Sequence, residues 1–432
     1  MSTAYRTHYI NELNLSLSGS TVTVAGWVHE VRDIGKIVFL LLRDRTGIVQ
    51  VTAKKGEASE SLIKKMKLPK ESVIQVKGII KANKEVKAGF EIEPREIINL
   101  NPLSTKIPFD VTGKVPANLD VRLNYRYIDL RRRETQAIFN IESTVLNAFS
   151  SYLYSQGFQQ IRTPCIIAEA SEGGSKPFPV VYFEKAAFLA QSPQLYKQMA
   201  VIGGMDKVFM IMPIFRAEKS NTVYHLTEST QMDVEIGFAN AADAIEVLCN
   251  TVTAIIKRVI EKNKTDLEVL GAKLEIPEIK KITYLDAIKK LSERGYPVKY
   301  GDDLTRKHEK ALQAIFGDAI VVRDYPTKLR AFYSMPKKDN PELSESFDFI
   351  YKGLEISSGA QRIHQPDLLI EALKKRGLNP NDFESYINAF KCGAPPHAGW
   401  SIGLERFTMQ LTGAKNIREC ALFPRDRDRI TP

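Results

Sequence analysis

A chain of 432 residues exceeds what a single hydrophobic core serves, so two or three domains are expected. Its 44% apolar and 26% charged residues are ordinary for a soluble globular protein, and no apolar run approaches the roughly 20 residues of a membrane span. The net charge is +10, and residues 1–103 hold half of the excess, with 16 Lys and Arg against 11 Asp and Glu; a polyanion such as nucleic acid fits that segment, and so does a surface that is merely basic.

In chain order, residues 18–100 read as short strands. Val22, Val24, Gly26 and Val28 alternate with Thr21, Thr23, Ala25 and Trp27, and apolar runs follow at 37–42, 48–51, 73–76 and 90–92. Gly47, Gly56, Gly78 and Gly89 punctuate them, and one helical stretch at 59–67 falls between the third and fourth strands. That is the outline of an OB-fold barrel over residues 1–103, a module that often binds single-stranded nucleic acid. Residues 104–130 are Pro-rich with little periodicity and read as a hinge or linker.

From residue 131 the period changes. Ile138, Ile141, Val145, Phe149 and Tyr152 recur at helical spacing, with Gly157 placed for a C-cap. Strands are expected at 158–161, 209–212 and 230–238, and helices at 241–261 and 368–376. Strands without regular crossover helices favour an antiparallel sheet, so residues 131–432 read as α+β. The four cysteines, Cys165, Cys249, Cys392 and Cys420, form no C-x-x-C pair, and residues 1–10 show no secretory pattern. A reducing cytoplasm is expected, with neither disulfides nor a zinc knot and no membrane attachment.

Neither G-x-x-x-x-G-K-[ST] nor G-x-G-x-x-G occurs, so any nucleotide would be held otherwise. Two arginines suggest how. Arg216 stands in Phe215-Arg216-Ala217-Glu218, shortly before His225-Leu226-Thr227-Glu228, and Arg406 closes Gly403-Leu404-Glu405-Arg406. A guanidinium is a permanent, planar fork of donors matched to phosphate oxygens, so two on separate elements could clamp a triphosphate. An isolated arginine is more often a surface ion-pair member, and context decides between the two.

Those contexts resemble motifs 2 and 3 of the class II aminoacyl-tRNA synthetases, and residues 157–164 resemble motif 1. All three occur in order behind an OB-like domain, and the resemblance covers essentially the whole chain. Its nearest form is the archaeal-type aspartyl-tRNA synthetases. The resemblance implies an antiparallel sheet flanked by helices, with ATP bent over it. It gives Arg216 the α-phosphate and Arg406 the γ-phosphate, with Glu218 at the adenine. Ala217, Tyr224, His225, Leu226, Gly403, Leu404 and Glu405 complete the ATP site, joined by Glu355. Mg²⁺ is assigned to Glu355 and Ser358 of Gly353-Leu354-Glu355-Ile356-Ser357-Ser358, with Asp348 as a further acidic position. One or two carboxylates with a hydroxyl and phosphate oxygens suit a hard cation.

For the amino acid, the resemblance pairs Lys197 and Arg362 with the aspartate side chain. Ser192, Gln194 and Asp233 meet its ammonium, Leu195, Tyr196, Arg216 and Ser358 line the site, and Glu172 covers it from a loop. Ser192 with Pro193 is placed to start a helix carrying Lys197. Asparaginyl-tRNA synthetase is the rival within the fold. An unpaired buried lysine would cost that enzyme several kcal/mol, so Lys197 favours aspartate. A non-catalytic tRNA-binding paralogue is the rival outside it, weakened by the presence of Arg216, Glu218, Glu355 and Arg406.

On the barrel, the resemblance assigns Phe39 and Gln50 to the central anticodon base, with Arg32 on the same surface and Lys219 near the acceptor end of the tRNA. Phe39 is equally readable as core, since periodicity alone does not choose its face. His29, in Gly26-Trp27-Val28-His29, stands where many enzymes restricted to the aspartate tRNA carry Trp. A relaxed enzyme that also charges the asparagine tRNA is therefore expected, although a companion proline near 84–87 is missing. Motif 1 implies a homodimer.

Overall fold

A computed structural model describes residues 3–168, 177–217 and 221–432. The chain divides into two compact units, Met1–Arg132 and Arg133–Pro432.

The first unit is a closed barrel, β1 (Thr21–Asp33), β2 (Ile37–Arg43), β3 (Ile48–Lys54), β4 (Val73–Ala82) and β5 (Phe90–Asn101), in the order β1-β2-β3-β5-β4. All pairs are antiparallel except β3 with β5, which closes the barrel. Alternation creates its core: Val22, Val24, Val28, Val38, Leu40, Leu42, Val49 and Val51 point inward and are buried. Helix α1 (Glu60–Met66), capped by Ser59, adds Ile63 and Met66 to that core. The segment expected as a plain linker carries two short helices, α2 (Leu119–Asn124) and α3 (Arg126–Asp129). Asn118 caps the first, and Arg126, fully buried, pairs with Asp129 at 2.6 Å. These polar caps and ion pairs leave no apolar period to read.

The second unit begins with α4 (Arg133–Ser155), β6 (Gln159–Gln160) and a small sheet of β7 (Ile166–Ile167), β8 (Pro179–Tyr182) and β9 (Lys185–Leu189). Next come α5 (Gln194–Ile202), β10 (Lys207–Phe215), β11 (Glu228–Gly237), α6 (Ala241–Lys262), α7 (Lys264–Leu270), β12 (Ile279–Thr283), α8 (Tyr284–Glu293) and α9 (Arg306–Phe316). The chain ends through β13 (Ala319–Arg323), β14 (Ser346–Tyr351), β15 (Leu354–Gln361), α10 (Pro366–Lys375), α11 (Glu384–Lys391), β16 (His397–Gly403) and α12 (Leu404–Thr412).

Eight strands form one sheet in the order β12-β13-β14-β15-β16-β11-β10-β6. Its six central strands are antiparallel, as expected, but both edge pairs are parallel, so the sheet is mixed. Helices α4 and α6 cover one face. Ala244, Ile245, Leu248, Val252, Ile255, Ile256 and Val259 line the buried stripe of α6, against Phe149 of α4 and Trp400 of β16. The capping box of Asn240 and Asp243 starts α6.

Candidate active site

Register brings one polar row together. Asp348 on β14 pairs with Ser358 on β15, Ser358 with Ser401 on β16, and Ser401 with Asp233 on β11. Four residues drawn from three separate stretches of the sequence thus lie side by side across four strands, at the roughly 4.8 Å strand spacing.

Two clefts open over this row. One, about 200 Å³, is lined by Arg216, Tyr224, His225, Leu226, Glu355, Ser358, Gly403, Glu405 and Arg406 among others. The second, about 270 Å³, is lined by Ser192, Gln194, Lys197, Arg216, Asp233, Arg330, Ser358 and Arg362 among others. Arg216, Gln231, Ser358 and Ser401 line both. Arg216 therefore stands at the junction. Its backbone N–H donates to Thr227 O at 2.8 Å and its Nε to Gln191 O at 3.4 Å.

Among the described residues neither Arg216 nor Arg406 is in an ion pair, and both line the first cleft. Arg406 lies in the first turn of α12, with Nη1 3.5 Å from Glu355 O. The Glu405 carboxylate accepts from Thr230 N at 2.9 and 3.1 Å, and burial pushes it up to about 7. Leu404 and Leu226 pack into the core below. Ala217 does not line the cleft. Glu172, Glu218 and Lys219 lie outside the described residues.

In the second cleft the helical period of α5 sorts its residues. Gln194 and Lys197, three apart, face the sheet, whereas Leu195 and Tyr196 turn into two apolar clusters and do not line the cleft. Pro193 takes the N-cap position rather than the first helical one, and the Ser192 hydroxyl accepts from Gln194 N at 3.0 Å.

Lys197 is almost fully buried, with Nζ 2.7 Å from Asp233 Oδ1 and 3.3 Å from Glu235 Oε2. Glu235, fully buried, also takes a bidentate pair from Arg362 at 2.9 and 3.1 Å. Despite full burial its carboxyl is held below the usual range by Arg362 and Lys197. Gly399 faces Glu235 in register, and a Cβ there would strike the carboxylate. Sequence reading missed Glu235, and its argument from an unpaired lysine fails, because Lys197 already has two anionic partners. Arg330, also missed, adds a fourth cation, with Nη2 2.6 Å from Asp348 and Nη1 3.4 Å from Ser358 Oγ. Lys197, Arg216, Arg330 and Arg362 thus face Asp233, Glu235 and Asp348, one positive charge in excess.

Asp348 Oδ1 is buried without a partner. Glu355 is pushed up to about 8 by burial, then by Asp348 and Glu309, a crowding of carboxylates that a bound cation would relieve. Among the described residues no three His, Cys, Asp or Glu are arranged to hold a metal alone. Glu355, Asp348 and Ser358 fit a cation that takes its other ligands from phosphate and water. Glu309 of α9 accepts from Glu355 N at 2.9 Å, and Arg306 of the same turn lies 4.7 Å over the Tyr224 ring.

On the barrel, Phe39 is half-buried between the buried Val38 and Leu40, so its ring belongs to the outer face. It pairs with Arg32 on β1 and Thr52 on β3, and Gln50 pairs with Leu41. The Gln50 amide donates to Glu91 at 2.9 Å. His29 sits at a bulge in β1 between Val28 and Glu30.

The model of the family described as tRNA synthetases class II (D, K and N) matches residues 118–427, and that of the OB-fold nucleic acid binding domain matches residues 22–100. The chain belongs to the class II tRNA synthetases (D, K and N). Within that family it is 48% identical to a Methanocaldococcus jannaschii protein named aspartate–tRNA(Asp/Asn) ligase, over 99% of this chain and 98% of that one. A Methanopyrus kandleri protein of the same name is 46% identical over 98% and 99%. Among solved structures, asparaginyl-tRNA synthetase from Pyrococcus horikoshii complexed with asparaginyl-adenylate superposes with a TM-score of 0.93 at 32% identity, covering 98% of this chain and 99% of that one. Aspartyl tRNA synthetase from Entamoeba histolytica gives 0.89 at 33%, covering 98% and 92%.

Proposed function

We propose that this protein is an aspartate–tRNA ligase that serves both the aspartate and the asparagine tRNA. The observation that carries the reading is the pair of clefts joined at Arg216, the second with one positive charge in excess. Aspartate carries a net charge of −1 and balances that excess; asparagine, with none, leaves it. The relatives named aspartate–tRNA(Asp/Asn) ligase support both the amino acid and the pair of tRNAs.

The residues divide the work as follows. ATP lies in the cleft of Tyr224, His225 and Arg406, and aspartate in the cleft of Lys197 and Arg362. An α-carboxylate oxygen of aspartate attacks the α-phosphorus, the bond to the β-phosphate oxygen breaks, and pyrophosphate leaves with that electron pair. Arg216, a fixed donor at the junction, stabilises the charge that develops on the α-phosphate. Arg406 holds the far phosphate, and Ser192, Gln194 and Asp233 orient the ammonium; most of the rate gain is positioning. Glu355, Ser358 and Asp348 would hold Mg²⁺, which neutralises the triphosphate and eases loss of pyrophosphate. The terminal 3′ hydroxyl of tRNA then attacks the acyl carbonyl of the adenylate and AMP leaves. Phe39, Gln50, Arg32 and His29 form the anticodon surface, by stacking and by hydrogen bonds to splayed bases. The active form is a homodimer.

Aspartylation of two tRNA transcripts that differ only in the third anticodon base tests the specificity. Both are charged on this reading; charging of the aspartate tRNA alone would mark a restricted enzyme.

A further inference from the structure

We propose that Arg43 fixes His29 as a donor through Nε2, and that this donor meets the pyrimidine O2, the one acceptor that cytosine and uracil present at the same place. The proposal rests on the anticodon surface proposed above and assigns His29 within it to the third base, where the two tRNAs differ.

His29 Nδ1 lies 3.0 Å from Arg43 Nη1. A guanidinium has only donors and keeps its protons, so Nδ1 is the acceptor in this bond. A neutral imidazole carries one N–H, which then falls on Nε2. No partner for Nε2 is found among the described residues.

Arg43 cannot readily turn away. It is 5% exposed, and its Nη2 donates to both oxygens of Glu71 at 2.9 and 2.8 Å. Glu71, also buried, receives Arg131 Nη1 at 3.0 Å, and the Arg131 guanidinium lies 5.2 Å over the Trp27 ring. The backbone joins the same clamp. Glu71 N–H donates to Val28 O at 2.7 Å, and Val28 N–H to Ser72 O at 2.9 Å, which fixes the residue preceding His29. Glu71 adopts φ +69°, a conformation disfavoured for a side chain of this kind and held by these surrounding contacts. Burial, then the Arg43 charge, holds the imidazole pKa below its usual value, which keeps the ring neutral.

Aspartate and asparagine codons differ only in their first base, so the two anticodons differ in their third, C against U. At ring position 4 cytosine donates and uracil accepts; at position 3 the roles reverse. Position 2 is a carbonyl oxygen in both. A single fixed donor is therefore satisfied by either base only at O2. A residue that read position 3 or 4 would separate the two tRNAs.

The test uses the full-length protein and transcripts whose third anticodon base is C, U, their 2-thio forms, or pyrimidin-2-one, which keeps O2 and lacks any 4-substituent. Sulfur at position 2 is expected to lower kcat/KM by about 5–10-fold in both series, the scale of one lost hydrogen bond. Pyrimidin-2-one is expected to charge like cytosine. His29→Ala should remove the difference between oxygen and sulfur. Independently, ¹⁵N shifts of the imidazole in wild-type protein should show Nε2 protonated, a readout that needs no variant of the buried Arg43. Protonation on Nδ1, or indifference to sulfur combined with loss on pyrimidin-2-one, would overturn the proposal. If the U-containing tRNA is not charged at all, the relaxed reading fails separately, and the cytosine series still tests the contact.

Discussion

Arg330 Nη2 lies 2.6 Å from Asp348 Oδ2, while the other Asp348 oxygen is buried with no partner. One carboxylate is thus shared between a cation of the amino-acid cleft and the place assigned to Mg²⁺. Arg330→Met removes the positive charge paired with Asp348. The Mg²⁺ concentration for half-maximal ATP–pyrophosphate exchange should fall, and the KM for aspartate should rise. An unchanged Mg²⁺ dependence would separate Arg330 from the metal.

Glu355 provides a pH dependence. Its carboxyl, raised to about 8 from 4.5, is protonated in the folded protein at neutral pH and ionised in the unfolded chain. The unfolded state therefore binds fewer protons, and stability of the metal-free protein declines as pH rises from about 4.5 towards 8. The slope from this group is at most about 1.4 kcal/mol per pH unit. Glu355→Gln should flatten that part of the profile in denaturant titrations. Because the ion binds the carboxylate form, Mg²⁺ should also bind more tightly at pH 8.5 than at 6.5, releasing a proton at the lower pH.

Arg306 and Tyr224 make a cation–π contact at 4.7 Å beside the nucleotide cleft. Arg306→Ala should raise the KM for ATP about 3–10-fold, in keeping with a partly desolvated pair, and leave the KM for aspartate unchanged. In a cycle with Tyr224→Ala the two effects should be non-additive. Additive effects would mean that the contact does not position the nucleotide.

Lys197 is the buried cation between two carboxylates. Removing it leaves Glu235 with Arg362 alone and Asp233, among the described residues, with no cation, so Lys197→Met should cost about 3–5 kcal/mol in urea denaturation. Adding Asp233→Asn should recover part of that loss. A single variant as stable as the parent would mean that the buried network is not held as described.

Much of the site was legible because its parts are local. Arg216 and Arg406 stand in short recognisable contexts, and Ser358 lies in a run that includes Glu355. Alternation built the barrel, although it left the face of Phe39 open until Val38 and Leu40 were seen to fill the core. Glu235, Arg330, Glu309 and Ser401 escaped because each acts through a partner distant in sequence. Glu235 has its meaning only beside Lys197 and Arg362, and Ser401 only through the register of β15, β16 and β11. The short α2 and α3 escaped for another reason: caps and ion pairs hold them, with little apolar periodicity.

If the cleft joined at Arg216 activates aspartate, adenylate formation depends on that amino acid and on that arginine. Exchange of pyrophosphate into ATP, measured in parallel with aspartate and with asparagine, tests it most directly. Aspartate should support exchange in the wild-type protein, asparagine should not, and Arg216→Ala should abolish the activity while tRNA binding persists. Exchange driven by asparagine, or undiminished exchange in Arg216→Ala, would contradict the account.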